Sequence, residues 1–126
     1  MNSCVLDSSA VLALLLGEPG ADGVSAVVAD ACMSTVNLAE VMAKLCERGM
    51  PSADAQAAVE ALGIEIAGFD TAQAVISGEL RVTTRTLGLS LGDRACLALA
   101  RLRQVPAVTT DSAWGQVAGI DVRLVR

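Results

Sequence analysis

The chain has 126 residues, and its 14 acidic and nine basic residues give a net charge of −5, which argues against a strongly basic nucleic-acid-binding module. A hydrophobic share of 53% excludes a disordered chain, and the length suits one buried core, so we predict a single domain over residues 1–126. The chain has no histidine, which excludes Ser–His and Cys–His nucleophilic catalysis and acid–base catalysis by histidine.

Short apolar runs alternate along the chain with segments of helical periodicity. The run at residues 4–6 predicts a strand that ends at Asp7, and residues 10–16 predict a helix that stops at Gly17. Ser52 is predicted to cap a later helix, and Asp70 with Gln73 resembles a capping box. In chain order, further helices are predicted at 22–30, 37–48, 52–62, 70–81 and 90–103, and further strands at 31–34, 64–69, 107–109 and 120–125.

This alternation predicts an α/β fold with a short parallel sheet covered by helices on both faces. In such sheets, ligands gather beyond the carboxyl ends of the strands. Asp7 and Asp111 each come just after a predicted strand. We therefore expect both carboxylates at one edge of the sheet, although they lie far apart in the sequence.

Asp7 and Asp111 also have purely structural explanations. Asp is a favoured helix N-cap, so Asp7 could start the helix that follows, although Ser8 or Ser9 could take that position instead. Asp111 could form a side-chain-to-backbone turn on leaving its strand. Their position at strand ends favours a functional role for both.

Asp93 and Glu40 lie on predicted helices. Ser90 and Asp93 have the spacing of a capping box, yet Asp93 also heads an apolar stripe, where a carboxylate needs a partner or a cation. Glu40 shares a polar helix face with Asn37, Lys44 and Glu47, and the pattern alone favours a surface position paired with Lys44. Glu40 can have a functional role only if this helix face borders the sheet edge where Asp7 and Asp111 are expected. Asn37 could then also help to bind a substrate or a ligand there.

The oxygen-rich residues at these positions suit a hard cation such as Mg²⁺, which prefers oxygen ligands and retains several waters. Such a cation lowers the pKa of water and stabilises phosphoryl charge without help from histidine. The hydroxyls of Ser9, Thr110 and Ser112 could orient ligands or water, but they are equally explained as turn and capping residues.

The four cysteines have neither the spacing of a zinc site nor that of a redox pair. Each lies among apolar neighbours, so we predict small buried side chains in a reduced, cytoplasmic protein. The apolar run at residues 10–16 is too short to span a membrane, and no basic residue precedes it as in a secretory signal.

The sequence resembles the PIN-domain family, and within it the VapC-type toxins of bacterial toxin–antitoxin pairs. The resemblance extends over nearly the whole chain. It is carried by four blocks in the family's order: residues 5–10 (VLDSSA), 34–41 (STVNLAEV), 89–95 (LSLGDRA) and 108–114 (VTTDSAW). It implies a three-layer α/β/α sandwich, Mg²⁺- or Mn²⁺-dependent endoribonuclease activity, a cognate VapB-like antitoxin and commonly a homodimer.

Carried over by position, the resemblance implies an acidic quartet of Asp7, Glu40, Asp93 and Asp111. Asp7 and Asp93 would bind metal directly, and the other two would complete the site directly or through water. A metal-activated water would then hydrolyse the RNA phosphodiester bond. Arg81, Arg85 and Arg94 precede or adjoin Asp93 and are candidates for contact with RNA phosphates, although each is also explained as a solvated helix charge.

Two other interpretations remain open at this stage. A receiver-like phosphorylatable signalling domain has a similar length and α/β alternation, but that class resembles a chain with paired acids near the first strand and a late Lys, whereas the only Lys here is Lys44. The second alternative is a binding module that has the PIN fold but no catalytic activity. Neither GxGxxG nor GxxxxGK[ST] occurs, which disfavours nucleotide-binding folds.

Overall fold

The computed structural model describes residues 2–126 and contains a five-stranded sheet, parallel in every pairing, with helices on both faces. The strands are β1 (Cys4–Leu6), β2 (Ala31–Ser34), β3 (Glu65–Ala67), β4 (Ala107–Thr109) and β5 (Val122–Leu124). The helices are α1 (Ser8–Leu16), α2 (Ala21–Ser25), α3 (Thr35–Glu47), α4 (Ser52–Glu60), α5 (Thr71–Thr83) and α6 (Leu91–Arg103), with short 3₁₀ helices at Val28–Asp30 and Arg85–Leu87.

Two hydrophobic clusters lie on opposite faces of the sheet and give the molecule its three layers. Successive residues of β1 point to opposite faces, so Val5 joins the cluster that includes Leu97 of α6, whereas Leu6 joins the cluster that includes Val11 of α1 and Val41 of α3. Because both faces are covered, β1, β2 and β4 are apolar or buried throughout. The predicted α/β/α sandwich with a short parallel sheet is confirmed.

The strand order β3-β2-β1-β4-β5 reverses direction at β1. The chain extends the sheet from β1 through β2 to β3 on one side, then returns to add β4 and β5 on the other. A crevice therefore opens between the carboxyl ends of β1 and β4, at the kind of switch point where α/β sheets bind ligands. Asp7 follows β1 directly and Asp111 lies two residues beyond β4.

Several local predictions are wrong. The helix expected at 22–30 is broken into α2 and a 3₁₀ turn at the β-branched residues Val27 and Val28, which disfavour continued helix. Ser52 is the first helical residue and makes no cap, because Pro51 occupies the N-cap position. Cys4, Cys32 and Cys96 are buried free thiols as expected, but Cys46 lies exposed on α3.

None of the helices within residues 2–126 is both long and apolar enough to cross a bilayer.

Candidate active site

Asp7 is buried at the end of β1, with only 3% of its surface exposed. Its carboxylate caps α1, because Oδ1 accepts a hydrogen bond of 2.8 Å from the amide of Ala10. The Ser9 hydroxyl lies 2.8 Å from Oδ1 and 2.9 Å from Oδ2, and the Thr109 hydroxyl donates to Oδ2 at 2.6 Å. Asp7 itself is therefore the cap, and neither serine replaces it.

The environment of Asp7 disfavours its negative charge. Burial raises the pKa of the Asp7 carboxyl to about 6, the nearby charge of Asp93 adds to that rise, and the hydrogen bonds from Thr109, Ala10 and Ser9 oppose it. Within residues 2–126, no Lys or Arg makes an ion pair with Asp7. A buried carboxylate beside a second acid is thus held by neutral donors alone, an arrangement that favours an incoming cation.

Thr109, which the sequence analysis did not single out, links Asp7 to Asp111. Its hydroxyl donates to Asp7 and accepts a 3.0 Å hydrogen bond from the Asp111 amide. Ser9 makes a parallel link, because its hydroxyl accepts from the Thr110 amide at 3.1 Å. The parallel pairing of Leu6 with Val108 places Thr109 beside Asp7. Only knowledge of that pairing would have selected Thr109 over Thr110.

Asp93 lies half-buried in the first turn of α6, where it completes a capping box. Its Oδ2 accepts from the Ser90 amide at 2.9 Å, and the Ser90 hydroxyl accepts from the Asp93 amide at 3.1 Å. The stripe that Asp93 heads is buried, with Leu97 at 0% and Ala100 at 1% exposure. The helix-capping explanation therefore holds, and Asp93 is also near enough to Asp7 for its charge to help raise the pKa of the Asp7 carboxyl.

Glu40 contacts the start of α6 through Asn37. The Asn37 side chain is buried, and its Nδ2 donates to Glu40 Oε1 and to the carbonyl oxygen of Gly92, both at 3.0 Å. Gly92, also missed by the sequence analysis, precedes Asp93 directly. No ion pair joins Glu40 to Lys44 within the described residues, so the expected surface pair is not formed.

The remaining candidate residues lie nearer to solvent or are engaged elsewhere. Asp111 is exposed, and its Oδ1 accepts a 2.9 Å hydrogen bond from the Ala113 amide in the turn expected after β4. Ser112 is exposed and Thr110 is half-buried. Arg81 and Arg85 are exposed, whereas Arg94 donates from Nη1 to the Ser77 carbonyl of α5 at 3.0 Å.

The four carboxylates lie toward the same edge of the sheet, but they do not form a complete set of metal ligands in their present positions. Within residues 2–126, no three acidic or Cys side chains converge closely enough to surround an ion as they stand. Their chemistry nevertheless fits a hard divalent cation, because Mg²⁺ needs few carboxylates and retains water. The buried Oδ1 of Asn37, which has no hydrogen-bond partner among these residues, adds another oxygen acceptor at this edge. We infer that the residues fit such a cation.

A cavity of about 500 Å³ borders this edge beside Ser9 and Thr110. Its walls combine the apolar side chains of Leu12 and Leu16 with charged residues of α3, and the lining is completed by Glu18, Lys44, Glu47 and Arg48. The cavity is open to solvent and mixed in charge, so it suits a ligand that has both apolar and charged groups.

The fold and this acidic edge define an α/β protein whose polar crevice lies at the switch point of a parallel sheet. The sequence profile of the PIN domain matches residues 4–120. The chain belongs to the PIN-domain family. This assignment separates it from the receiver-like alternative.

Solved structures share the fold. A chain of a toxin–antitoxin complex from Klebsiella pneumoniae is 22% identical, with a TM-score of 0.74 and coverage of 94% of this chain and 95% of that one. A chain of the DNA-bound VapBC from Salmonella typhimurium is 20% identical, with a TM-score of 0.76 and 97% of both chains covered. A chain of VapBC2 from Rickettsia felis, bound to a promoter DNA fragment, is 14% identical, with a TM-score of 0.76 and 98% of both covered. A comparison with curated protein sequences found no significant match.

Proposed function

We propose that this PIN-domain protein is a divalent-metal-dependent endoribonuclease of the VapC type, acting in the cytoplasm as the toxin of a toxin–antitoxin pair. The observation that carries the proposal is the state of Asp7. Its carboxylate is buried, lies near the charge of Asp93, and has hydroxyl and amide donors but no cationic partner within residues 2–126. A carboxylate in that position is stabilised by a bound cation.

Asp7 and Asp93 would hold the cation, and Glu40 and Asp111 would complete the site. When bound, Mg²⁺ or Mn²⁺ supplies Lewis acidity that activates water and stabilises charge on a phosphoryl oxygen. Ser9 and Thr109 hold the Asp7 carboxylate in one orientation, because each donates a hydrogen bond to it and is itself fixed by a backbone amide beyond β4. These hydrogen bonds thus fix the Asp7 carboxylate in place without neutralising the charge that would bind the cation.

The exposed arginines before α6 are proposed to bind RNA phosphates. Arg81 lies in the last turn of α5, and Arg85 lies in the 3₁₀ turn that leads toward Ser90 and Asp93. Arg94 is engaged with the Ser77 carbonyl, so it would have to exchange that bond to reach a phosphate. Arg81 and Arg85 are therefore the stronger candidates.

The proposed inhibitor is a VapB-like antitoxin. Structures with this fold come from toxin–antitoxin and VapBC complexes. An Arg or Lys of such a partner could place a positive charge among the carboxylates, and an amphipathic helix could bury Leu12 and Leu16 in the neighbouring cavity. We also propose a homodimer, which sedimentation of the purified chain would test.

RNA cleavage by the purified protein tests the proposal. We expect cleavage with Mg²⁺ or Mn²⁺, loss of cleavage in EDTA, recovery when the cation is returned, and loss in Asp7→Asn. Asp54→Asn is a matched control, because Asp54 is an exposed acid in the first turn of α4. Cleavage that survives both EDTA and Asp7→Asn would overturn the metal-dependent mechanism. Failure to cleave any RNA would favour a binding module without catalysis.

A further inference from the structure

Glu40 is held in a space that exists only because residue 92 has no side chain. A Cβ on Gly92 would collide with Glu40 Oε1, Oε2 and Cδ. Real Cβ atoms essentially never approach other atoms so closely. The Glu40 carboxylate therefore occupies the volume that any larger residue at position 92 would fill.

We propose that Gly92 and Asn37 are positioning residues that together set the Glu40 carboxylate against the start of α6 for cation binding. The inference rests on the proposed function, because it assigns these two residues to the same metal site. Gly92 provides the space, and Asn37 provides the hydrogen bond that keeps Glu40 in it.

Asn37 makes its two contacts from one buried amide nitrogen. Nδ2 donates to Glu40 Oε1 and to the Gly92 carbonyl, so a single group connects the carboxylate of α3 to the backbone of α6. Its Oδ1 is buried without a hydrogen-bond partner within residues 2–126. Buried polar atoms are normally paired, so this amide is poorly explained as a device for stability alone.

The arrangement brings Glu40 of α3 against the residue of α6 that precedes Asp93. Gly92 precedes Asp93 in the chain, so the Asn37 amide fixes the distance between the helix that carries Glu40 and the turn that carries Asp93. The Asp93 carboxylate is itself fixed by its capping box. Both carboxylates are thereby ordered before any cation arrives.

Gly92→Ala should displace the Glu40 carboxylate without lowering the stability of the fold. The atoms that an added methyl meets are the far end of a flexible side chain, so Glu40 can move away while α6 stays intact. Gly78→Ala is the matched control, because Gly78 is also helical, in α5, and a Cβ there meets nothing within 4 Å. Both changes replace Gly with the best helix former, so neither should weaken its helix.

The test is Mn²⁺ binding to the full-length protein, measured by electron paramagnetic resonance, with urea unfolding in EDTA as the stability measurement. We expect Gly92→Ala and Asn37→Ala to weaken Mn²⁺ binding by roughly 10- to 100-fold, the usual effect of removing a residue that orients a ligand. Gly78→Ala should bind Mn²⁺ like the wild type. Gly92→Ala should unfold at no lower urea concentration than the wild type.

A double variant shows whether Gly92 acts through Glu40. Glu40→Asp shortens the side chain and withdraws the carboxylate from position 92. Adding Gly92→Ala to Glu40→Asp should then weaken Mn²⁺ binding no further, because contacting residues give non-additive effects. If the two losses multiply instead, Gly92 acts independently of Glu40 and the proposal is overturned.

The outcomes distinguish this inference from the proposed function. If the wild type binds Mn²⁺ and Glu40→Gln weakens it, but Gly92→Ala and Asn37→Ala do not, the positioning role fails and the metal site stands. If Glu40→Gln leaves Mn²⁺ binding unchanged, the positioning role fails because Glu40 is not part of the site. If the wild type does not bind Mn²⁺, both proposals fail.

Discussion

Acidic side chains lie at both ends of the sheet, and within residues 2–126 ion pairs involve two of them at the amino end and none of the four candidate carboxylates at the carboxyl end. At the amino end, Glu65 lies 2.6 Å from Arg103, and Asp121 lies 3.0 Å from Arg123. At the carboxyl end, no Lys or Arg of residues 2–126 makes an ion pair with Asp7, Glu40, Asp93 or Asp111. The sheet therefore pairs Glu65 and Asp121 with arginines at one end, and leaves the four carboxylates at the other end without a cationic partner among the described residues.

The difference lies in the donors as well as in the charges. At the carboxyl end, hydroxyl and amide groups of Ser9, Thr109 and Asn37 orient the carboxylates without neutralising them. Neutral donors oppose the rise in the pKa of Asp7 but do not cancel the effect of burial. The amino end contributes surface ion pairs, whereas the carboxyl end holds carboxylates that only neutral groups orient, which is the basis of the proposed cation site.

The largest expected effect is the loss of activity in Asp93→Asn. The substitution keeps the size of the side chain but removes a charge from the proposed cation site. A cation contributes several kcal/mol to phosphoryl transfer, so we expect RNA cleavage to fall roughly 1000-fold. The measurement is the rate of Mg²⁺-dependent cleavage of a defined RNA.

Asp121→Asn is the matched control from the amino end. It removes the same charge, but from a half-exposed ion pair with Arg123, and should leave cleavage unchanged. If Asp93→Asn and Asp121→Asn reduce RNA cleavage equally, the carboxyl end of the sheet has no special role in catalysis.

The second largest effect concerns stability and pH. Because the pKa of Asp7 in the folded protein is about 6, above its ordinary value of 3.8, the folded state binds this proton more tightly than the unfolded state. The stability that this proton contributes is present below about pH 4 and is lost as the pH rises through about 6. The loss in cation-free protein should be on the order of 3 kcal/mol.

Urea unfolding in EDTA at pH 4 and pH 7 measures this effect when wild type and Asp7→Asn are compared. The variant should gain stability relative to the wild type as the pH rises, and Mg²⁺ should reduce that gain. If the free energies of unfolding of the two proteins differ by the same amount at pH 4 and pH 7, burial does not raise the pKa of Asp7.

A smaller effect is expected from Thr109→Val. Valine keeps the shape of Thr109 but removes the hydroxyl that donates to Asp7 and accepts from the Asp111 amide. We expect Mn²⁺ affinity to fall roughly 10- to 100-fold. Thr109→Ser should recover most of it, since serine keeps the hydroxyl. Equal affinity in the valine variant and the wild type would remove Thr109 from the site.

The smallest effect is expected from Glu65→Gln at the amino end. The Glu65 side chain is half-exposed and its pair with Arg103 is near the surface, so the free energy of unfolding should fall by less than about 1 kcal/mol. Mn²⁺ affinity should not change. A drop in Mn²⁺ affinity would indicate that the cation also occupies the amino end.

The sequence carries more information about the strand ends than about the contacts between helices. Hydrophobic runs followed by Asp7 and Asp111 are sufficient to predict which sheet edge those residues share. Thr109 and Gly92 could not be found in this way, because their roles depend on the pairing of β1 with β4 and on the approach of α3 to α6. Glu40 was ambiguous for the same reason, since periodicity does not say what a helix face contacts.

Anomalous diffraction from crystals grown with Mn²⁺ tests most directly whether the carboxyl end of the sheet binds a cation. We predict a Mn²⁺ peak beside Asp7 and Asp93, with Glu40 and Asp111 within direct or water-mediated reach, and no peak near Glu65 or Asp121. An empty carboxyl end at saturating Mn²⁺, or a peak only at the amino end, would contradict it.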